Sequence, residues 1–202
     1  MGLDMVCHVF GNGDVVVLIM ATIHGNEPAG TPLVRRLADH LTRYPELIDD
    51  RRVVLLPVAN PDGMARGTRY NANGVDLNRN FPASNWSRGK SHGSAPLSEP
   101  ESRAIYELIA RYQPHRIVTI HQPLNRIDYD GPARALAHAM AGRCDLPVKK
   151  LNARPGSLGS YAGVERGVPV VTVELPRSAS ALDASALWDR YGDMLLAAVR
   201  FP

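Results

Sequence analysis

The chain has 202 residues, of which 45% are hydrophobic and 21% charged, and its formal net charge is +3. That balance fits a single α/β domain with a buried core and excludes a disordered or fibrous chain. The positive charge is small and dispersed, which argues against a nucleic-acid partner, and the longest apolar stretch, Val15 to Ala21, is far too short to cross a membrane.

The chain starts without the charged and apolar layout of a signal peptide, so a cytoplasmic protein is expected. Arg51-Arg52 and Lys149-Lys150 read as solvated strand flanks. Cys7 and Cys144 stand far apart with no CxxC spacing, which predicts two free thiols.

Val6 to Phe10 and Val15 to Ala21 read as strands, and Gly11-Asn12-Gly13-Asp14 between them predicts a hairpin. Leu33, Leu37 and Leu41 recur every four residues, predicting a helix from about Pro28 to Tyr44. A strand is expected over Arg52 to Val58. From Ala59 to Leu97 the chain is polar and rich in Gly, Asn and Arg, and a loop of that length inside a compact domain is usually functional. Asn60-Pro61-Asp62-Gly63 within it reads as a structural turn. Ser98-Glu99-Pro100-Glu101 has the pattern of a capping box with an early proline and opens a helix to about Tyr112. A strand over Arg116 to His121 follows, then a helix over Pro132 to Cys144. A short helix over Ser157 to Glu165 stops at Gly167. The last elements are a strand over Val168 to Glu174 and a helix over Leu182 to Val199. Strands and helices in alternation imply one domain with a mixed, mostly parallel sheet and helices on both faces.

Three of these strands end in chemistry. Val15 to Ile23 runs into His24-Gly25-Asn26-Glu27, Ile117 to Ile120 into His121, and Val168 to Val173 into Glu174. In open α/β sheets function gathers beyond the carboxyl ends of the strands. Two imidazoles and a carboxylate with one open position form a catalytic metal site. Glu27 alone also suits a first-turn acid favoured by the helix dipole. Glu174 ends a nearly continuous buried run, where an unpaired charge is costly. It serves there as a general base beside a metal, or as the partner of a loop arginine. In the long loop, Asp76 suits a hydrogen bond to His24, and Asn78 with Arg79 forms a fork of donors for a carboxylate. Arg66 suits stabilisation of an oxyanion, and each arginine equally suits a loop-stapling hydrogen bond.

Together His24-Gly25-Asn26-Glu27, Asn60-Pro61-Asp62-Gly63, Arg66, Gly74 to Phe81, Ser98 to Glu101, His121, Gly156-Ser157 and Val173 to Pro176 resemble the zinc carboxypeptidase family over nearly the whole chain. The resemblance implies one Zn2+ held by His24, Glu27 and His121, with Glu174 as base. It implies that Arg66 polarises the scissile carbonyl and that Asn78 and Arg79 hold the free carboxylate of the residue released. Within the family, His121 to Leu124, Ile127-Asp128, Gly131-Pro132 and Arg154 to Gly159 resemble the bacterial murein peptide amidases. These cut the γ-D-glutamyl–meso-diaminopimelate bond of murein peptides. Two departures stand out. Where many members carry a mobile capping tyrosine, this chain has Leu151-Asn152-Ala153-Arg154, and Tyr161 is the nearest substitute. Leu158 occupies the position that tunes the side-chain pocket, so the diaminopimelate amine would be met by Asp128 or Asp130. Two rivals remain at this point. One is an N-acyl amino acid deacylase resembling aspartoacylase and succinylglutamate desuccinylase. The other is a zinc-bearing peptide-binding module without catalysis.

Overall fold

Six strands form one mixed sheet in the computed structural model, which describes residues 2–202. The strands are β1 (His8–Phe10), β2 (Val15–Ala21), β3 (Arg51–Leu56), β4 (Arg116–His121), β5 (Leu124–Asp130) and β6 (Val170–Pro176). They lie in the order β1-β3-β2-β4-β6-β5. The central four are parallel, and β1 and β5 run antiparallel at the two edges. The apolar run of β2 is buried along almost its whole length because it is covered on both faces.

Helices α1 (Gly30–Arg43), α4 (Arg134–Ala141) and α5 (Ala184–Arg200) bury one face, against Val17, Ile19, Val118, Val171 and Val173. Leu33, Leu37 and Leu41 of α1 are fully buried there, and each contributes on the order of 1.5–3 kcal/mol. Helix α3 (Pro100–Tyr112) covers part of the other face with Ile105 and Ile109, alongside Leu77 and Phe81 of the long loop. Among the described residues no helix is long and apolar enough to cross a membrane.

Three local expectations are corrected. The predicted hairpin does not form, because β1 pairs with β3 while β2 has β3 and β4 on its two edges. The connection instead crosses the start of β3. Gly13 donates to Arg51 O (3.2 Å), and a Cβ on Gly13 would lie 2.1 Å from the Asp50 carbonyl carbon. Second, the expected capping box at Ser98 is absent. Glu99 holds the N-cap position without a side-chain cap. Buried loop amides claim these side chains instead: Asn80 Nδ2 donates to Ser98 Oγ (3.1 Å), and Asn71 Nδ2 donates to Glu101 Oε2 (3.0 Å). Third, Asn60-Pro61-Asp62-Gly63 opens a short helix, α2 (Pro61–Arg66), with Asn60 Oδ1 accepting from Gly63 N at 2.9 Å.

Strand β5 has no counterpart in the expectations above. One side of it, Ile127 and Tyr129, packs into the core, but the other carries Arg126, Asp128 and Asp130. A strand with charged residues on its inner side does not announce itself by hydrophobic pattern.

Candidate metal centre and substrate pocket

The carboxyl ends of β2, β4 and β6 converge on one rim. Thr22, just past β2, is a buried β-branched residue held at φ 55°, a conformation that costs on the order of 1–3 kcal/mol. Its hydroxyl is tied to Thr31 Oγ1 (2.8 Å). The turn it makes delivers His24 and Glu27 to His121 at the end of β4. His24 Nδ1 lies 3.0 Å from Glu27 Oε1, and His121 Nδ1 lies 3.0 Å from Glu27 Oε2 and 3.2 Å from His24 Nδ1. All three residues are buried, and their donor atoms fall within 4.8 Å of one another. Two imidazole nitrogens and a carboxylate, converging with nothing apolar between them, fit a divalent metal.

The far nitrogen of His24 is oriented by Asp76, whose Oδ1 accepts from Nε2 at 3.2 Å. Burial disfavours the Asp76 carboxylate, but the His24 hydrogen bond and the charges of His24, Arg69 and Arg79 outweigh it and hold the carboxyl below its ordinary range. Glu27 is likewise opposed by burial, and bonds from His121 and His24 overcome that and lower its pKa. For His24 burial favours the neutral ring, yet Asp76 and Glu27 together raise its pKa. Glu27 and Asp76 are thus held as carboxylates, which makes the cluster favourable to a cation.

Gly25 explains why the His24 loop and the start of α2 come as a pair. A Cβ there would sit 2.0 Å from the Gly63 carbonyl carbon. We expect Gly25→Ala to cost about 1–3 kcal/mol of stability through overpacking. An unchanged urea midpoint would show that the two segments do not need this contact.

Arg66 does not reach the rim. Helix α2 ends at Gly67 in a left-handed turn (φ 62°), and Arg66 is exposed with Nη1 donating to Ala72 O at 3.4 Å. The same turn swings Arg69 back, so that its Nε donates to Asp76 Oδ2 (2.9 Å) and its Nη1 to Glu27 Oε1 (3.3 Å). Arg69 therefore stands where Arg66 was expected. The sequence holds both arginines three residues apart, and only the left-handed turn decides between them.

A cavity of about 290 Å³ opens beside the three donors. Glu174, the register partner of His121, lines it. Burial raises the Glu174 pKa, and the neighbouring Glu27 adds to that, while His121 opposes. Asn78, Arg79 and Leu158 line the cavity as well. Asn78 Oδ1 accepts from Leu158 N (3.0 Å), which leaves the Asn78 amide hydrogens free to donate. Burial lowers the Arg79 pKa, and Arg69 and Arg154 push it the same way while Asp76 opposes. All three arginines line the cavity, an arrangement suited to an anionic ligand. We expect Arg79→Ala to weaken KM about 30-fold, the equivalent of roughly 2 kcal/mol for a desolvated charge pair. A KM within twofold of the parent would remove Arg79 from carboxylate binding.

Asp128 also lines the cavity, with Oδ1 already accepting from Tyr129 N and Leu151 N, both at 2.8 Å. Tyr161 does not line the cavity. It is buried against Phe81 and Tyr106, and Leu151 to Arg154 form that side of the cavity instead.

The model of the zinc carboxypeptidase family matches residues 10–129. Murein peptide amidase A of Escherichia coli (strain K12) is 36% identical over 177 residues, covering 79% of this chain and 70% of that protein. Murein peptide amidase A of Vibrio campbellii (strain ATCC BAA-1116) is 36% identical over 178 residues, covering 79% and 68%. The crystal structure of murein-tripeptide amidase MpaA from Escherichia coli O157 superposes with a TM-score of 0.75 at 31% identity, covering 95% of this chain and 83% of that one.

Proposed function

Since the chain belongs to the zinc carboxypeptidase family and is a hydrolytic enzyme, we propose that it is a zinc-dependent amidase of murein peptides, cutting the γ-D-glutamyl–meso-diaminopimelate bond. The observation that carries this reading is the union of two features in one cavity. A three-donor metal group, His24, Glu27 and His121, stands beside Glu174, and the same cavity holds Asn78 and Arg79. The likeness to two murein peptide amidases supports the substrate.

Zinc, when bound by His24, Glu27 and His121, supplies a Lewis acid to this site. Glu174 takes a proton from the attacking water and returns it to the departing amine. The Arg69 guanidinium stabilises the negative charge that develops on the scissile carbonyl oxygen. Arg79 and the free amide of Asn78 hold the carboxylate of the released residue, which sets the register of the bond to be cut. Asp76 keeps the His24 ring turned so that Nδ1 points toward Glu27 and His121, the residues that would hold the ion with it.

The test is a mass-spectrometric digest of L-Ala-γ-D-Glu-meso-diaminopimelate, with and without a chelator. Release of free diaminopimelate that stops on chelation is the expected result. No release by zinc-loaded protein would overturn the reading. Turnover of N-acyl amino acids in its place would favour the deacylase, which the relatives do not.

A further inference from the structure

The cavity runs down one face of the sheet, and its walls change character in steps. The pairing of β4, β6 and β5 sets His121, Glu174 and Arg126 side by side at the rim. Two residues deeper the same pairing aligns Thr119, Thr172 and Asp128, and two deeper again Ile117, Val170 and Asp130. Side chains at these positions share one face, and each step is roughly 7 Å. Asp130 therefore lies on the order of 13 Å along the strands from the rim, a depth that suits a long side chain. Elsewhere this face is apolar, built from Leu18, Val54, Ile117 and Val170. The Thr119 and Thr172 hydroxyls, 3.4 Å apart, and the two acids make a polar track through it.

Asp130 stands apart from its neighbours on the track. It is 5% exposed and lines the cavity. Among the described residues no arginine, lysine or histidine forms an ion pair with it. Lys150, the basic residue whose charge acts on Asp130, lies over the Tyr129 ring, 4.6 Å from its centroid. Burial, with the charge of Asp128, raises the Asp130 pKa to about 6, offset only in part by Lys150 and the Ala153 amide. The space for this carboxylate depends on a glycine, because a Cβ on Gly159 would lie 2.1 Å from Asp130 Oδ2. Asp128 differs, since one of its oxygens is already committed to two backbone amides. A buried acid without a counter-ion is costly, and a cationic ligand removes that cost.

We infer that Asp130 is the specificity-determining residue of this pocket, and that it receives the ammonium at the far end of a long side chain on the residue being released. This rests on the amidase reading and names what the pocket reads beyond the free carboxylate. Diaminopimelate and lysine both carry such an ammonium, and 2-aminopimelate has the same chain length as diaminopimelate without it.

The experiment compares three peptides, L-Ala-γ-D-Glu followed by meso-diaminopimelate, L-lysine or L-2-aminopimelate, on the zinc-loaded parent, Asp130→Asn and Asp128→Asn. The parent should prefer the two ammonium-bearing peptides over the third by at least about 30-fold in kcat/KM. Asp130→Asn should raise KM for those two by a similar factor, leave kcat within about twofold, and barely change the 2-aminopimelate peptide. Asp128→Asn should have the smaller effect. Equal kcat/KM for all three peptides on the parent would overturn the inference and leave the amidase standing, a result that needs no variant to fold. Selectivity lost in Asp128→Asn but kept in Asp130→Asn would also overturn it. Release of none of the three by the parent would overturn the amidase reading itself.

Discussion

Glu174→Gln is expected to retain its metal and lose turnover by a factor of roughly 10²–10⁴. The substitution keeps the shape of the side chain and its acceptor toward Leu124 N, now 3.4 Å from Glu174 Oε2. It removes only the capacity to take up a proton. Glu174 is not one of the three clustered donors, so zinc content measured by atomic absorption should match the parent. Because the group acts in the chemical step, kcat should carry the loss and KM should change little. Normal turnover in this variant would remove Glu174 from the mechanism. Loss of zinc would recast it as a ligand.

The second large effect separates two arginines three positions apart. Arg69→Met should lower kcat by about 10²–10³, the range found when one donor to a developing oxyanion is removed. Arg66→Met should leave both kcat and stability near the parent, within about 0.5 kcal/mol, as for an exposed side chain with no special role. The physical basis is direct. Arg69 bonds Asp76 and Glu27 at the rim, whereas Arg66 points to solvent and the Ala72 carbonyl. Arg69 also braces two residues of the metal centre, so zinc affinity must be measured alongside. A fall in activity fully explained by lost zinc would make Arg69 a positioning residue. Activity lost in Arg66→Met and kept in Arg69→Met would reverse the assignment.

Much of the architecture was legible before any coordinates. Strands β2, β4 and β6 are largely buried and so appear as apolar runs, interrupted only by Thr119 in β4 and Thr172 in β6 before their polar ends, and helix α1 shows its leucine spacing. The residues that end those runs, His24, His121 and Glu174, stand out because a polar side chain closing a buried strand needs a physical reason. Asp76 was legible as a partner for His24 because few acids lie in the long loop. What stayed hidden was hidden for stated causes. Strand β5 turns Asp128 and Asp130 toward the cavity, so its pattern is not that of a core strand. The pairing of β1 with β3 depends on edges already taken by other strands, a fact no local turn signal contains.

By itself, then, the sequence determined the class of fold and marked His24, Glu27, His121 and Glu174 as the polar residues that gather at one rim, because periodicity and strand ends are local properties of the chain. Only the tertiary structure placed Arg69 rather than Arg66 at the rim, buried Tyr161 outside the cavity lining and tied Asp128, but not Asp130, to two backbone amides through one carboxylate oxygen. Each of those outcomes turns on the direction of a side chain after a turn, or on a contact across distant segments. The left-handed Gly67, the Phe81 and Tyr106 rings around Tyr161, and the Leu151 amide bound to Asp128 are such contacts. Their energies exist only once the sheet has closed around them.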